Sequence, residues 1–129
     1  MPLVKINIIE GRTAIEKHGI VECVHKALIE AFKIKDDDKC FRIIEFKRED
    51  FVIPPTKTDK YILIEILIFP GRSLDAKRLL YRMIVDNLKL IGIEAGDIFI
   101  LLQEEPLDNW GIRGGYPASE IDLGFNLKV

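Results

Sequence analysis

Cysteine, excess charge of one sign and long apolar runs are all scarce in this 129-residue sequence. The two cysteines, Cys23 and Cys40, lack the spacing of metal ligands, so we expect free, mostly buried thiols in a reducing, cytoplasmic setting. The net charge of −2 leaves no basic field for nucleic acid. No apolar run reaches the roughly 18 residues that a membrane-spanning helix needs, and the first residues lack the pattern of a signal peptide. We therefore expect neither nucleic acid nor a membrane as a partner.

The hydrophobic content of 48% suffices for one domain over residues 1–129, and this domain is internally duplicated. Gly-Arg-Thr at 11–13 recurs as Gly-Arg-Ser at 71–73, sixty positions later. Asp38, which precedes a strand, recurs as Asp97, fifty-nine positions later. Similarity at a fixed period indicates repeated supersecondary units. We place repeat one at about residues 2–46, repeat two at about 61–102 and a C-terminal arm at 105–129.

Each repeat has the pattern of a strand, a helix and a second strand. Thr13 and Glu16 form the pattern of a capping box at the start of the first helix. Ser73 is the expected N-cap of the second helix, and Gly92 fits its end. Apolar residues at helical spacing form one stripe on each helix: Ile20, Val24, Ala27, Leu28 and Ala31 on the first, and Leu79, Leu80, Met83, Ile84, Leu88 and Ile91 on the second.

These elements predict an α+β fold. Two consecutive β-α-β units should form a four-stranded mixed sheet with two helices on one face, plus a short C-terminal strand. The strand at 61–68 is apolar at nearly every residue, which indicates burial on both faces. Two helices cover only one face, so we predict an obligate homo-oligomer. The segment 123–129 alternates as a short strand does, and we expect it to pair with a sheet edge, its own or a neighbour's.

The chain begins with a feature that points to catalysis. Pro2 is small enough for the initiator methionine normally to be removed, and an apolar strand follows it at once. The resulting secondary amine would be held in an apolar setting. An α-amino group has a reference pKa of roughly 7.7–8.0, which burial or a cation lowers and a carboxylate raises. We therefore predict that Pro2 acts as a base or an acid near neutral pH.

Two charged residues are candidate partners of that amine. Arg72 follows a strand at the start of a helix, where it is placed to bind a substrate carboxylate. Asp38 directly precedes the second strand and would orient a water molecule or hold the amine protonated. Arg12 is the duplicate of Arg72, but Ile62 takes the place of Pro2 in the second repeat. We therefore assign Arg12 to sites that lack the base.

Other candidates lie in the C-terminal arm and on the first helix. Trp110 and Ile112 stand in a glycine-containing loop, and we predict that they form a pocket wall that excludes water. The three residues His18, Glu22 and His25 line a stripe roughly opposite the apolar one, which we interpret as a solvated face. We therefore predict no metal site, and the loop glycines are not a dinucleotide fingerprint because no helix follows them.

Pro2, the apolar strand after it and Glu10-Gly11-Arg12-Thr13 resemble the start of a tautomerase-superfamily protein. With its duplication, the chain is similar over nearly its full length to the double-length branch, and within it to the malonate semialdehyde decarboxylase-like group. The resemblance implies a homotrimer in which Pro2 is catalytic, Asp38 matches the decarboxylase aspartate and Trp110 matches a pocket-wall tryptophan. Arg72 matches the second of two substrate-binding arginines, and Phe69 takes the position of the first.

The resemblance leaves three functional hypotheses. The first is a cofactor-independent isomerase, in which Pro2 takes a proton from the carbon beside the ketone of a small 2-oxo acid and Arg72 holds the carboxylate. The second is a lyase or hydratase, in which protonated Pro2 polarises a carbonyl and Asp38 positions water or supports decarboxylation. The third is a non-catalytic oligomeric binding module. We expect Phe69, Trp110 and Ile112 to contact the substrate in either enzyme.

Overall fold

The computed structural model describes residues 2–129 and confirms the predicted α+β architecture. The principal elements are β1 (Leu3–Ile9), α1 (Ala14–Phe32), β2 (Phe41–Phe46), β3 (Ile62–Ile68), α2 (Leu74–Leu90) and β4 (Ile98–Glu104). The strand order is β2-β1-β3-β4. Each repeat contributes a parallel pair, and the two pairs meet where β1 and β3 run antiparallel. The sheet is therefore mixed because each crossover helix gives parallel pairing within its own repeat.

The two helices begin where the sequence predicts. Thr13 and Glu16 form a complete capping box, and the Ser73 hydroxyl accepts a hydrogen bond from Ala76 N–H. The two N-caps have nearly identical backbone angles, φ −70° and ψ 164° for Thr13 against φ −71° and ψ 162° for Ser73. Gly92 follows α2 with φ of 91°, a conformation that few other residues adopt without strain. Both repeats thus turn from strand to helix in the same way.

The core lies between the helices and one face of the sheet. The predicted stripe of α1 is buried throughout, and the alternate β3 residues Ile62, Ile64 and Ile66 are fully enclosed. In α2 the prediction is wrong at two positions, because Leu79 is 43% exposed and Ile91 is 46% exposed. Leu79 lies beside the buried row of Ala76, Leu80, Ile84 and Leu88, and Ile91 follows the last residue of α2. Apolar spacing identified the buried face but overestimated its width.

The opposite face of the sheet is open in the single chain. On the outer strand β4, Phe99 is 56% exposed and Leu101 is 46% exposed. Near the centre of this face, the Asn7 side-chain amide donates to Leu63 O and to a Glu65 carboxylate oxygen, each at 2.9 Å. Exposed aromatic and aliphatic side chains on one face of a sheet are typical of a surface that binds a partner. This is the uncovered face that the sequence led us to expect.

The C-terminal arm differs from its prediction. Its short strands are β5 (Gly111–Ile112) and β6 (Tyr116–Pro117), which pair antiparallel with each other. The alternating segment 123–129 forms no strand. Instead, Ser73 N–H donates to Val129 O at 3.0 Å, and Val129 packs against the main core. The apolar residues of this segment pack onto the end of the fold, so their alternation reflects contacts of individual side chains and not a ladder.

Replacing Gly71 by alanine is expected to destabilise the fold more than the matched change at Gly11. Both glycines have positive φ, 127° and 121°, so either alanine should introduce about 1–3 kcal/mol of backbone strain. A Cβ at Gly71 would also lie 3.1 Å from Leu127 O, whereas one at Gly11 meets nothing within 4 Å. Urea denaturation of the two variants measures the difference. Equal losses would contradict the packing of the tail against Gly71.

Two further predictions about side-chain burial are wrong. Cys40 is exposed, because it precedes the edge strand β2, while Cys23 is half-buried and donates to Asn87 O. His25 is 1% exposed and lies edge-on to Phe41, because the chain after α1 folds back over it.

Within residues 2–129, no helix is long and apolar enough to cross a membrane. The same part of the chain contains no group of three or more histidine, cysteine or acidic residues placed to hold a metal ion.

Candidate functional site

The predicted site residues collect at one end of the sheet, where β1 begins and β3 ends, which we call the Pro2 end. Pro2 is buried and directly precedes β1. Leu3 lies opposite Leu67 in the antiparallel pairing, so Pro2 lies level with Ile68. On its other side β1 pairs with β2, which begins three residues after Asp38. Position 2 is therefore enclosed by the ends of two neighbouring strands.

Arg72 is buried at the same end, with only 6% of its surface exposed. One terminal nitrogen donates to Phe69 O at 3.3 Å, the guanidinium carbon lies 5.1 Å from the centroid of the Phe32 ring, and Nε has no hydrogen-bond partner. Burial lowers the pKa of Arg72, and the charges of Asp38 and Glu104 oppose that shift. The guanidinium thus has donor capacity that the fold leaves unused, which is costly unless a ligand uses it.

An aromatic wall stands beside this arginine. The rings of Phe69 and Trp110 meet edge to face with centroids 4.7 Å apart, and Phe125 stacks near Phe69 at 6.3 Å. The Trp110 indole N–H donates to Glu105 O at 3.0 Å, which fixes the orientation of the ring. Ile112 packs against the same cluster. The wall is therefore apolar and held by contacts between the residue after β3 and the C-terminal arm.

A cavity of about 260 Å³ opens at this end. Three predicted residues, Asp38, Phe69 and Ile112, line it. Trp110 and Arg72 contact Phe69 but do not themselves line the cavity. The full lining is Ile34, Lys35, Asp38, Phe69, Ile112, Arg113, Leu123 and Phe125. One end of the sheet thus combines an apolar wall with charges of both signs, which suits a small polar molecule that carries an apolar group.

Two cations of the cavity, Lys35 and Arg113, were not predicted from the sequence. Arg113 has φ of 49°, and its guanidinium donates to Asp122 O at 3.0 Å. It occupies the turn between β5 and β6, where Gly115 N–H donates to Ile112 O at 3.1 Å. The two glycines after Arg113 signalled this turn. They did not indicate that the turn folds back toward Asp38, because that placement depends on contacts distant in sequence.

The sequence matches the patterns of a known family at both of its halves. A pattern described as tautomerase enzyme matches residues 38–113, and a second with the same description matches residues 2–57. The chain belongs to the tautomerase enzyme family. Its predicted place in the superfamily, as a double-length member, is thereby confirmed. Family membership makes this tautomerase an enzyme and argues against the non-catalytic module considered above.

Individual relatives agree with this assignment. The tautomerase is 26% identical over 121 residues to probable tautomerase YusQ of Bacillus subtilis (strain 168). This alignment covers 89% of the present chain and 95% of YusQ. Among solved structures, malonate semialdehyde decarboxylase has a TM-score of 0.80 at 23% identity, over 87% of this chain and 92% of that one. A wild-type fused 4-OT described as a symmetric trimer has a TM-score of 0.80 at 17% identity, over 91% of this chain and 96% of that one. At these identities the two structures establish a shared fold.

Proposed function

We propose that this tautomerase isomerises a small 2-oxo acid with the amine of Pro2 as general base. The observation that supports the proposal is the burial of Pro2 at the sheet end that also holds Asp38, Arg72 and the aromatic wall. Removal of Met1 would leave the nitrogen as a free secondary amine in that setting. No cofactor is needed, because a positioned amine transfers protons by itself.

The reaction is a proton transfer between carbon and oxygen. The Pro2 nitrogen takes a proton from C3 of the 2-oxo acid, the C–H electron pair forms the C2–C3 double bond, and the carbonyl π pair moves to oxygen. The Pro2 ammonium then protonates that oxygen to give the enol, and the reverse order converts the enol into the ketone. The wall of Phe69, Trp110 and Ile112 keeps out water that would compete for the proton.

Two arginines would hold the substrate carboxylate. Arg72 has an unpartnered Nε in a buried position, where a charge-assisted hydrogen bond is strong. The resemblance places Phe69 where related proteins have an arginine, so one cation is absent there. Arg113, which lines the same cavity as Phe69, supplies the second cation in this proposal. These two arginines and Phe69 therefore fit a substrate with one carboxylate and an apolar group better than a substrate with two carboxylates.

The proposal is tested by following the ultraviolet absorbance of enolised aryl and alkyl 2-oxo acids as they convert to the ketone. The tautomerase should accelerate the decay in proportion to its concentration. An inert protein at the same concentration is the control for general buffer catalysis. A panel in which no 2-oxo acid decays faster with the tautomerase than with the inert protein would refute the activity.

A lyase or hydratase is the second candidate, favoured by the charge interaction between Asp38 and Arg72 in the site. In that chemistry Pro2 stays protonated, and Asp38 positions water or supports decarboxylation. The structural neighbour malonate semialdehyde decarboxylase is described as having decarboxylase and hydratase activities. Nitrogen-15 NMR titration of Pro2 separates the candidates. An amine that is neutral at pH 7 supports the isomerase, and a protonated one supports the lyase.

We also propose that the tautomerase assembles as a homotrimer through the open face of its sheet. The fused 4-OT neighbour is a trimer, and Phe99 and Leu101 leave an apolar surface here that a second chain would cover. Phe99→Glu places a charge on that surface and is expected to convert the trimer into monomers, measured by light scattering after gel filtration. Leu90→Glu, at an 86% exposed position on α2, is the matched control. A trimeric Phe99→Glu protein would exclude this interface.

Arg113→Ala is expected to raise KM for the 2-oxo acid about tenfold with kcat little changed, because a partly exposed charge-assisted hydrogen bond contributes about 1.5 kcal/mol to binding. Steady-state kinetics measures the effect. Arg78→Ala is the matched control, since Arg78 is exposed on α2 and pairs with Asp75. If the two variants have the same KM, Arg113 does not contact the substrate.

A further inference from the structure

A larger cavity lies at the opposite end of the sheet, where β1 ends and β3 begins, which we call the Arg12 end. Its volume is about 540 Å³. It opens between the first turns of α1 and the end of α2, with Ile15, Gly19 and Ile91 on its walls and Arg12 and Lys60 among its polar lining. Ile15 is 85% exposed. The proposed reaction at Pro2 uses none of these residues.

The internal duplication relates this cavity to the proposed active site. The same backbone conformation connects strand to helix in both repeats. Glycine φ is 121° at Gly11 and 127° at Gly71, and the N-caps Thr13 and Ser73 have matching angles. Arg12 therefore leaves the sheet by the same backbone route as Arg72. Ile62, the counterpart of Pro2, is fully buried within β3. The Arg12 end thus retains the arginine of the duplicated unit and lacks the amine.

The two ends differ in what fills them. At the Pro2 end, Leu127 packs against Gly71, and Val129 O accepts a hydrogen bond from Ser73 N–H. At the Arg12 end, a Cβ added to Gly11 would meet no atom within 4 Å. The volume that the C-terminal tail fills in one repeat is therefore left empty in the other. This explains why the cavity at the Arg12 end is the larger of the two.

Two cations, Arg12 and Lys60, line this cavity together with three carboxylates, Glu10, Glu16 and Asp59. The Arg12 guanidinium donates once, to Lys60 O at 3.2 Å, and keeps its other donors. Lys60 Nζ donates to Gly92 O at 3.2 Å. Two of these carboxylates already accept hydrogen bonds, because Glu16 closes the capping box and Asp59 accepts from Arg48 at 2.7 Å, and Glu10 is exposed to solvent. A carboxylate placed here would pair with Arg12 and Lys60.

The geometry points to a second ligand site at the Arg12 end, which binds a small carboxylic acid without transforming it. Its carboxylate pairs with Arg12 and Lys60, and its apolar body lies between Ile15 and Ile91. Because Ile62 offers no amine, the bound acid meets no base. This site goes beyond the proposed isomerase activity and does not depend on it.

The test is an NMR titration of the full chain, labelled at the isoleucine methyl groups, with 3-phenylpropionate. This probe has a carboxylate and an aromatic body but no ketone to enolise. The Ile15 and Ile91 methyl resonances are expected to shift to saturation, and Ile112 reports the Pro2 end separately. The uncharged amide 3-phenylpropionamide is the matched control. Failure of Ile15 and Ile91 to shift at millimolar probe, or an equal shift with the amide, would overturn the proposal.

Two variants separate loss of binding from loss of structure. Arg12→Met should weaken binding at the Arg12 end roughly tenfold or more. Gly19→Leu fills the cavity, since a Cβ there meets Ile91 Cδ1 at an ordinary 3.8 Å, and it should block the probe while raising Tm, because glycine weakens a helix. Unchanged affinity in both variants would refute the site. Pro2→Ala should leave this binding intact, so a failure of the proposed activity would not be mistaken for a failure of this site.

Discussion

Pro2→Ala is expected to lower kcat for ketonisation of an enolised 2-oxo acid by about a hundredfold or more. General acid–base groups contribute about 10²- to 10⁴-fold to a rate, and the change replaces a ring-constrained secondary amine by a mobile primary one. The pyrrolidine ring ties the nitrogen to the Pro2 side chain, so the nitrogen keeps one direction relative to the start of β1. Steady-state kinetics on both proteins measures the loss.

The comparison depends on equal N-termini. Alanine at position 2 also permits removal of Met1, and mass spectrometry of the purified proteins verifies this. Pro54→Ala, at an exposed position in the loop before β3, serves as the matched control and should keep wild-type kcat. A Pro2→Ala protein as active as wild type, with its terminus correctly processed, would remove Pro2 from the mechanism.

Arg72→Met is expected to lower kcat/KM about 10- to 100-fold without lowering the free energy of unfolding. The loss of activity follows from the hydrogen bonds of a charged group, worth about 1.5–3 kcal/mol. Stability should hold or rise, because Arg72 is 6% exposed and its Nε lacks a partner. Burial of such a charge opposes folding. Methionine keeps an apolar stem beside Phe32 at no such cost.

The duplicated residue provides the control for this prediction. Arg12→Met changes the same residue type at the corresponding strand-to-helix turn and should leave kcat/KM unchanged, because Ile62 replaces the amine at that end. Thermal unfolding of both variants completes the comparison. An Arg72→Met protein that loses stability together with activity would show that Arg72 is structural, and equal activity losses in both variants would contradict the assignment of the two ends.

Local sequence signals account for the predictions of the helices and the sheet. Thr13 and Ser73 each accept a hydrogen bond from the backbone N–H three residues later. The residues that define each helix start therefore lie within one helical turn of each other. The stripe from Ile20 to Ala31 is buried because 3.6-residue spacing keeps it on one face. The repeated Gly-Arg pair revealed that two such units follow each other. All of these signals operate over short stretches of chain.

The errors concern residues whose surroundings come from distant parts of the chain. His25 is buried because residues after α1 fold back to it, with its ring 2.8 Å from Asp36 O. The segment 123–129 alternates in the sequence but packs as single side chains against Gly71 and the core. Arg113 lines the cavity because the β5–β6 turn carries it back toward Asp38. Periodicity carries no information about such neighbours.

Three features were already evident in the order of the residues: the duplicated unit, the proline that precedes the first strand and the arginine that precedes each helix. These follow from residue identity and spacing, which act within a single element. The folded chain was needed to show which end of the sheet the tail closes, which aromatic ring stands against Arg72 and which end keeps an open cavity. Those features arise where segments far apart in the chain pack together, and the shape of that packing is a property of the whole fold.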